Sequence, residues 1–132
     1  LVKRYVEEAG SATVRRVLTG QAVTTSRLSE VEVASALTRR CREGTLSRSG
    51  RDRALSAIPS DVAALYVVEL SAEIARTSLA LLARHPLRAG DAIQLASCLH
   101  LRREVDEMQL LAYDARLNDA ARVEGLPLFA DP

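Results

Sequence analysis

Aromatic side chains are scarce in this chain. Tyr5, Tyr66, Tyr113 and Phe129 are the only ones among 132 residues, and tryptophan is absent. That is too few for the stacking platform on which single-stranded bases are held. Cysteine is almost as rare. Cys41 and Cys98 stand far apart with no CxxC, which excludes a disulfide framework and a zinc knuckle and leaves both as small core residues. The two histidines, His85 and His100, are not spaced as a metal-binding pair on one helical turn. Six glycines and four prolines are too few for a low-complexity or collagen-like chain. No apolar run approaches the ~20 residues needed to span a bilayer. The chain opens on Lys3, Arg4, Glu7 and Glu8 rather than on the apolar stretch of a signal peptide.

An excess of one charge is missing too, since 18 basic residues face 17 acidic ones, which excludes a histone-like protein or an acidic tail. What remains is 48% hydrophobic and 27% charged, the composition of one ordinary globular domain over residues 1–132. A soluble, cytoplasmic location is expected. With so few histidines and cysteines, carboxylates are the better candidates for any catalysis.

The pattern along the chain alternates helices and strands. Helices are predicted over about Gly10–Leu18, Leu28–Arg42, Arg51–Ile58 (stopped by Pro59), Ser71 to His85-Pro86, from Gly90-Asp91 onward, and Ala115–Glu124. Ala75, Ser78, Leu79 and Leu82 are taken as the inward face of the fourth. Strands are predicted at Gln21–Thr25, Ala64–Leu70, Gln109–Tyr113 and Leu126–Phe129. This order implies an α/β fold with a mainly parallel central sheet and helices on both faces.

In such a sheet, ligands bind beyond the carboxyl ends of the strands, where the following helices begin. Three acids fall there: Glu32 early in the second helix, Asp91 opening the fifth, and Asp114 just past the Gln109–Tyr113 strand. Each also has a purely structural explanation. Ser29 and Glu32 fit a capping box, and Asp91 and Asp114 fit N-caps. Asp91 stands out because it lines up with Leu95 and Leu99, where an unpaired charge is costly. Three converging acids repel one another, and a divalent cation with a taste for hard oxygen ligands, Mg²⁺ or Mn²⁺, resolves that repulsion. Metal-assisted phosphodiester cleavage is the reaction class that follows.

Three segments resemble a known family. Leu87-Arg88-Ala89-Gly90-Asp91-Ala92-Ile93-Gln94-Leu95-Ala96 is similar to the LRxxDAxxLA signature of PIN-domain proteins, especially the VapC toxins. The run from Ser26 to Leu37 resembles the family's Ser-to-EVxxAL segment. Tyr113 to Ala121 resembles its D-x-R-L-x-x-A-A close, followed by Gly125-Leu126-Pro127-Leu128. The resemblance covers essentially the whole chain. It implies a PIN-like three-layer fold and a Mg²⁺- or Mn²⁺-dependent ribonuclease of a toxin–antitoxin pair. The expected partners are RNA, a second copy of the chain in a homodimer, and an inhibitory VapB-type antitoxin, with no membrane. By position, the metal-binding and catalytic acids are Glu32, Asp91 and Asp114. Glu30 rivals Glu32, and Ser26 matches a polar group near the site or is simply a turn residue.

The family opens with a strand ending in DTSALVKRY, whose Asp is a metal ligand, whereas this sequence starts at Leu1-Val2-Lys3-Arg4-Tyr5. The resemblance therefore implies a truncation at the N-terminus that removes one acid and one strand. Arg39, Arg40, Arg42, Arg48, Arg51 and Arg53, with only Glu43 and Asp52 among them, form a basic stretch in which Arg48, Arg51 and Arg53 are candidate RNA contacts; a solvated surface is the plain alternative. Two other functions stay open: an inactive PIN-like protein that binds an antitoxin or RNA, and an unrelated α/β phosphoester hydrolase.

Overall fold

A computed structural model describes residues 1–105 and 107–130. A 3₁₀ turn at Val2–Arg4 leads into α1 (Ser11–Gly20), β1 (Thr24–Ser26), α2 (Leu28–Arg42), α3 (Arg48–Ala63), β2 (Tyr66–Val68), α4 (Ala72–Arg84), α5 (Ala89–Leu101) and α6 (Ala115–Val123). Among the described residues this is a mixed α/β fold of six helices and a short parallel sheet, the class expected from the sequence.

The chain forms two compact units, Leu1–Val67 and the remainder from Val68 onward. The core of the first comes from packing α2 on α3: Val33 and Leu37 meet Ile58 and Val62, and Val6 joins them from the segment after the 3₁₀ turn. In the second, α4 lies along α5 and α5 packs on α6 around Ile74, Leu81, Leu95, Leu110, Leu117 and Leu126. Ala92, Ala96, Ala120 and Ala121 are almost completely buried there. Their small side chains let the helices approach closely. Among the described residues no helix is long and apolar enough to cross a membrane.

The strands are shorter than the sequence pattern predicts. β1 and β2 have three residues each, and the Tyr66 amide also donates to the Val23 carbonyl at 3.0 Å. Gln109–Tyr113 and Leu126–Phe129 do run parallel, but meet at one isolated bridge, Leu110 to Leu128. The Leu110 amide donates to the Pro127 carbonyl and the Phe129 amide to the Leu110 carbonyl, both at 2.8 Å. Pro127 has no amide hydrogen to extend that ladder.

Two helices also depart from expectation. α3 begins earlier, at Arg48, because the Ser47 hydroxyl caps it by accepting the Gly50 amide at 3.1 Å. It then runs through Pro59 to Ala63. Pro59 lies on the exposed side while its neighbours Ile58 and Val62 are buried, so the core holds the turn that the proline weakens. α4 starts where predicted, with Ser71 Oγ accepting the Ile74 amide at 3.2 Å. Its inward face is Ile74, Ser78 and Leu81, so Ser78 is inward as expected but Ala75, Leu79 and Leu82 are exposed.

Candidate functional site

Asp91 and Asp114 stand at helix starts and Glu32 one turn into its helix, and each place is built differently. α2 begins immediately after β1. Ser26, the last residue of β1, is buried, and its hydroxyl accepts the Leu28 amide at 3.3 Å, which turns the chain into the helix. That bond gives Ser26 a place in the turn and does not exclude a polar role near the site. Ser29 is the second residue of α2 rather than its N-cap, and its buried hydroxyl lies 2.6 Å from Thr25 Oγ1. The Ser29–Glu32 capping box therefore does not form, and it does not account for Glu32.

Glu32 is exposed on α2, in the unit where α2 also packs on the 3₁₀ turn. Its rival, Glu30, forms an ion pair with Arg27 one helical turn back. Glu32 is engaged too, so that pairing does not decide between them.

Asp91 is the third residue of α5, whose N-cap is Arg88, with no side-chain cap. The capping explanation for Asp91 thus fails. Its neighbours Ala92, Leu95 and Ala96 are buried to the limit, and Asp91 itself is half-buried. Among the described residues it has neither a hydrogen bond nor an ion pair. The amide end of the helix favours a negative charge at this position, but no cation among the described residues pairs with it.

Asp114 is the N-cap of α6. Oδ1 accepts the Arg116 and Leu117 amides at 2.9 and 3.1 Å, and Oδ2 stands 3.5 Å from Arg116 Nη2. These bonds, the Leu117 amide first, hold its carboxyl below the ordinary 3.8. One turn further on, Asn118 Nδ2 donates to the Ala112 carbonyl at 3.2 Å, while its buried Oδ1 has no hydrogen-bond partner among the described residues. The sequence reading passed over Asn118; its place four residues after Asp114, on the same helical face, was the available signal.

Carboxylate oxygens are the right donors for a hard divalent cation. Among the described residues, however, no three His, Cys, Asp or Glu side chains group closely enough to hold one. Asp91 and Asp114 lie at helix starts and Glu32 one turn into α2, and among the described residues they form no preformed triad.

The basic stretch is better defined. Arg39 pairs with Glu43 at 4.0 Å, Arg40 pairs with Glu8, and Arg51 pairs with Asp52 at 2.7 Å. Arg42, Arg48 and Arg53 have no ion pair among the described residues. Arg42, Arg48 and Arg51, with Cys41, line a recess of about 450 Å³ between the end of α2 and the start of α3. Arg42 was not among the expected contacts, although it stands just before the short connection that brings α2 back against α3. Arg53 is exposed on α3 and does not line the recess.

Compared with known proteins, residues 2–123 match the family model described as PIN domain. No curated protein matches the chain.

Proposed function

Because the chain belongs to the PIN domain family, whose members are generally nucleases, we propose that it is a metal-dependent endoribonuclease, the toxin of a toxin–antitoxin pair. The observation that carries the reading is the family match over residues 2–123, within which the three acid-bearing motifs lie in order. That match leaves no place for an unrelated α/β phosphoester hydrolase. In this proposal Glu32, Asp91 and Asp114 hold Mg²⁺ or Mn²⁺, RNA is the substrate, and a VapB-type antitoxin and a second copy of the chain are the protein partners, in the cytoplasm.

The bound metal supplies the Lewis acid that activates water and steadies charge on the phosphate. The chain's own part is positional. Asp91 offers a carboxylate that nothing else in the described residues engages, on a helix start fixed by a buried stripe. Asp114 is held by two backbone amides, so its Oδ2 keeps one orientation. The positive recess supplies charge that the acids, which repel an RNA backbone, cannot.

Asp91→Asn is the decisive test. The amide has the same shape and Asp91 has no hydrogen bond or ion pair to lose, only the favourable field of the helix start, so the melting temperature is expected to fall by at most a few degrees. Mg²⁺-dependent cleavage of single-stranded RNA is expected to disappear, and Mn²⁺ binding read by calorimetry to weaken at least tenfold. Cleavage at the unmutated rate would remove Asp91 from the site. A folded, unmutated protein that binds RNA but never cuts it with either metal would establish the inactive, RNA-binding alternative.

A further inference from the structure

The recess at the α2–α3 turn has a charge problem that its own residues do not solve. Three of its four lining side chains are guanidinium groups, and the acid engaged with them is Asp52, paired to Arg51. Glu43 lies close in sequence but is taken by Arg39. Arg42 and Arg48, which line the same recess, have no ion pair among the described residues. α3, sixteen residues long, adds the positive end of its dipole at Arg48, beside the Ser47 cap. Guanidinium forks pair with phosphate oxygens in bidentate fashion, and several can share one phosphate. At about 450 Å³ the recess is roomy enough for a phosphate together with part of its sugar, and it opens to solvent.

We propose that this recess is a phosphate pocket in which Arg42, Arg48 and Arg51 jointly grip a single phosphodiester of the RNA backbone. The proposal rests on the ribonuclease reading for the identity of the polymer. Arg53, exposed on the same helix, steers the strand without entering the pocket.

Gripping one phosphate leaves a countable signature. For single strands, the slope of log affinity against log salt changes by about 0.7 for each phosphate neutralised. The test is binding of a short labelled single-stranded RNA over a range of potassium chloride, in EDTA so that nothing is cut. The unmutated protein is compared with Arg42→Gln/Arg48→Gln/Arg51→Gln, whose fold is checked by circular dichroism. Weaker binding with a slope shallower by about 0.7 is expected. A change of about 2 would mean three separate contacts, and no change would mean a solvated surface; either overturns the pocket.

Cys41 gives a second readout that needs no mutation. Maleimide labelling of Cys41 should slow when RNA is bound. Cys98 serves as the internal control, since burial pushes its thiol up to about 11 and leaves it unreactive at neutral pH. Protection by inorganic phosphate but not by RNA would make this a small-anion site and overturn the proposal, as would no protection by either. Because no step here requires cleavage, an intact salt signature without nuclease activity would sink the ribonuclease reading alone. Cleavage with an unaltered slope would sink the pocket alone.

Discussion

Both oxygens of Asp114 are already engaged, Oδ1 by two amides and Oδ2 by the neighbourhood of Arg116. Those bonds favour the charged form in the folded protein, so its folded-state value lies below the 3.8 of the unfolded chain. The unfolded state therefore binds the extra proton first as pH falls. The stabilisation is complete above about pH 4 and is lost as pH drops below 3.8 toward the depressed value. Asp114→Asn keeps an acceptor for the cap but has no proton to take up. It should fold normally at pH 7, show a flatter fall in urea midpoint below pH 4, and cut no RNA. An acid limb as steep as that of the unmutated protein would show that Asp114 is not held in this way. At this scale the sequence was informative where a residue's role is local: the Asp114 cap lies two and three residues from the amides it accepts. Glu30 and Asp91 were less legible. Whether a carboxylate meets Arg27, or meets nothing, depends on side-chain positions that spacing along a helix leaves open.

α4 shows the same limit for a whole element. Ile74, Ser78 and Leu81 recur at helical spacing, and so do Ala75, Leu79 and Leu82, one position on. Periodicity established the helix but could not choose between two stripes offset by about 100°. Packing against α5 chose the first. Leu81 is fully buried, while Leu79 is 67% and Leu82 38% exposed. Leu81→Ala should therefore cost about 2–5 kcal/mol by thermal or urea unfolding, whereas Leu79→Ala should stay within about 0.5 kcal/mol. Equal losses at the two sites would mean that the outer stripe is covered in solution. α2, by contrast, was legible to both ends, because Gly44 follows the last turn with φ +75°, a conformation open to glycine. α3 was misread because a proline is a strong local stop only when nothing beyond it is buried, and Val62 lies beyond Pro59.

Across the molecule the near balance of 18 cations and 17 anions is spent largely on short-range pairs. Glu124 accepts from His85 Nε2 at 2.6 Å and Arg84 Nη2 at 2.9 Å, Glu73 pairs with Arg103 at 2.6 Å, and Asp61 accepts from Arg4 and Tyr5. Each of these carboxyls is held below its ordinary value by those partners, His85 first for Glu124, Arg103 for Glu73 and Arg4 for Asp61. All have the same sign as Asp114, so their contribution is present above pH 4.5 for the two glutamates and above 3.8 for Asp61, and drains away as pH falls below those values. The melting temperature should drop progressively below about pH 4.5, and high salt should shrink the drop because several of the pairs are exposed. A midpoint independent of pH between 3 and 5 would show that the pairs do not persist in solution. The α/β class was legible at this scale because alternation of element types is written along the chain. The extent of the sheet was not, since strand length is decided by hydrogen-bonding neighbours that a single sequence does not display.

The single bridge between Leu110 and Leu128 makes α6 the middle of a closed loop, fastened by a clasp of two backbone bonds. At nine residues, α6 is too short to persist as an isolated helix in water. Closing eighteen positions of chain costs entropy only once, and the cost grows slowly with length, so insertions at the Gly125 turn would be tolerated cheaply. Cutting the chain before Leu128 would be another matter. It would open the clasp, set one end of α6 adrift, and with it loosen the two amides on which the orientation of Asp114 depends.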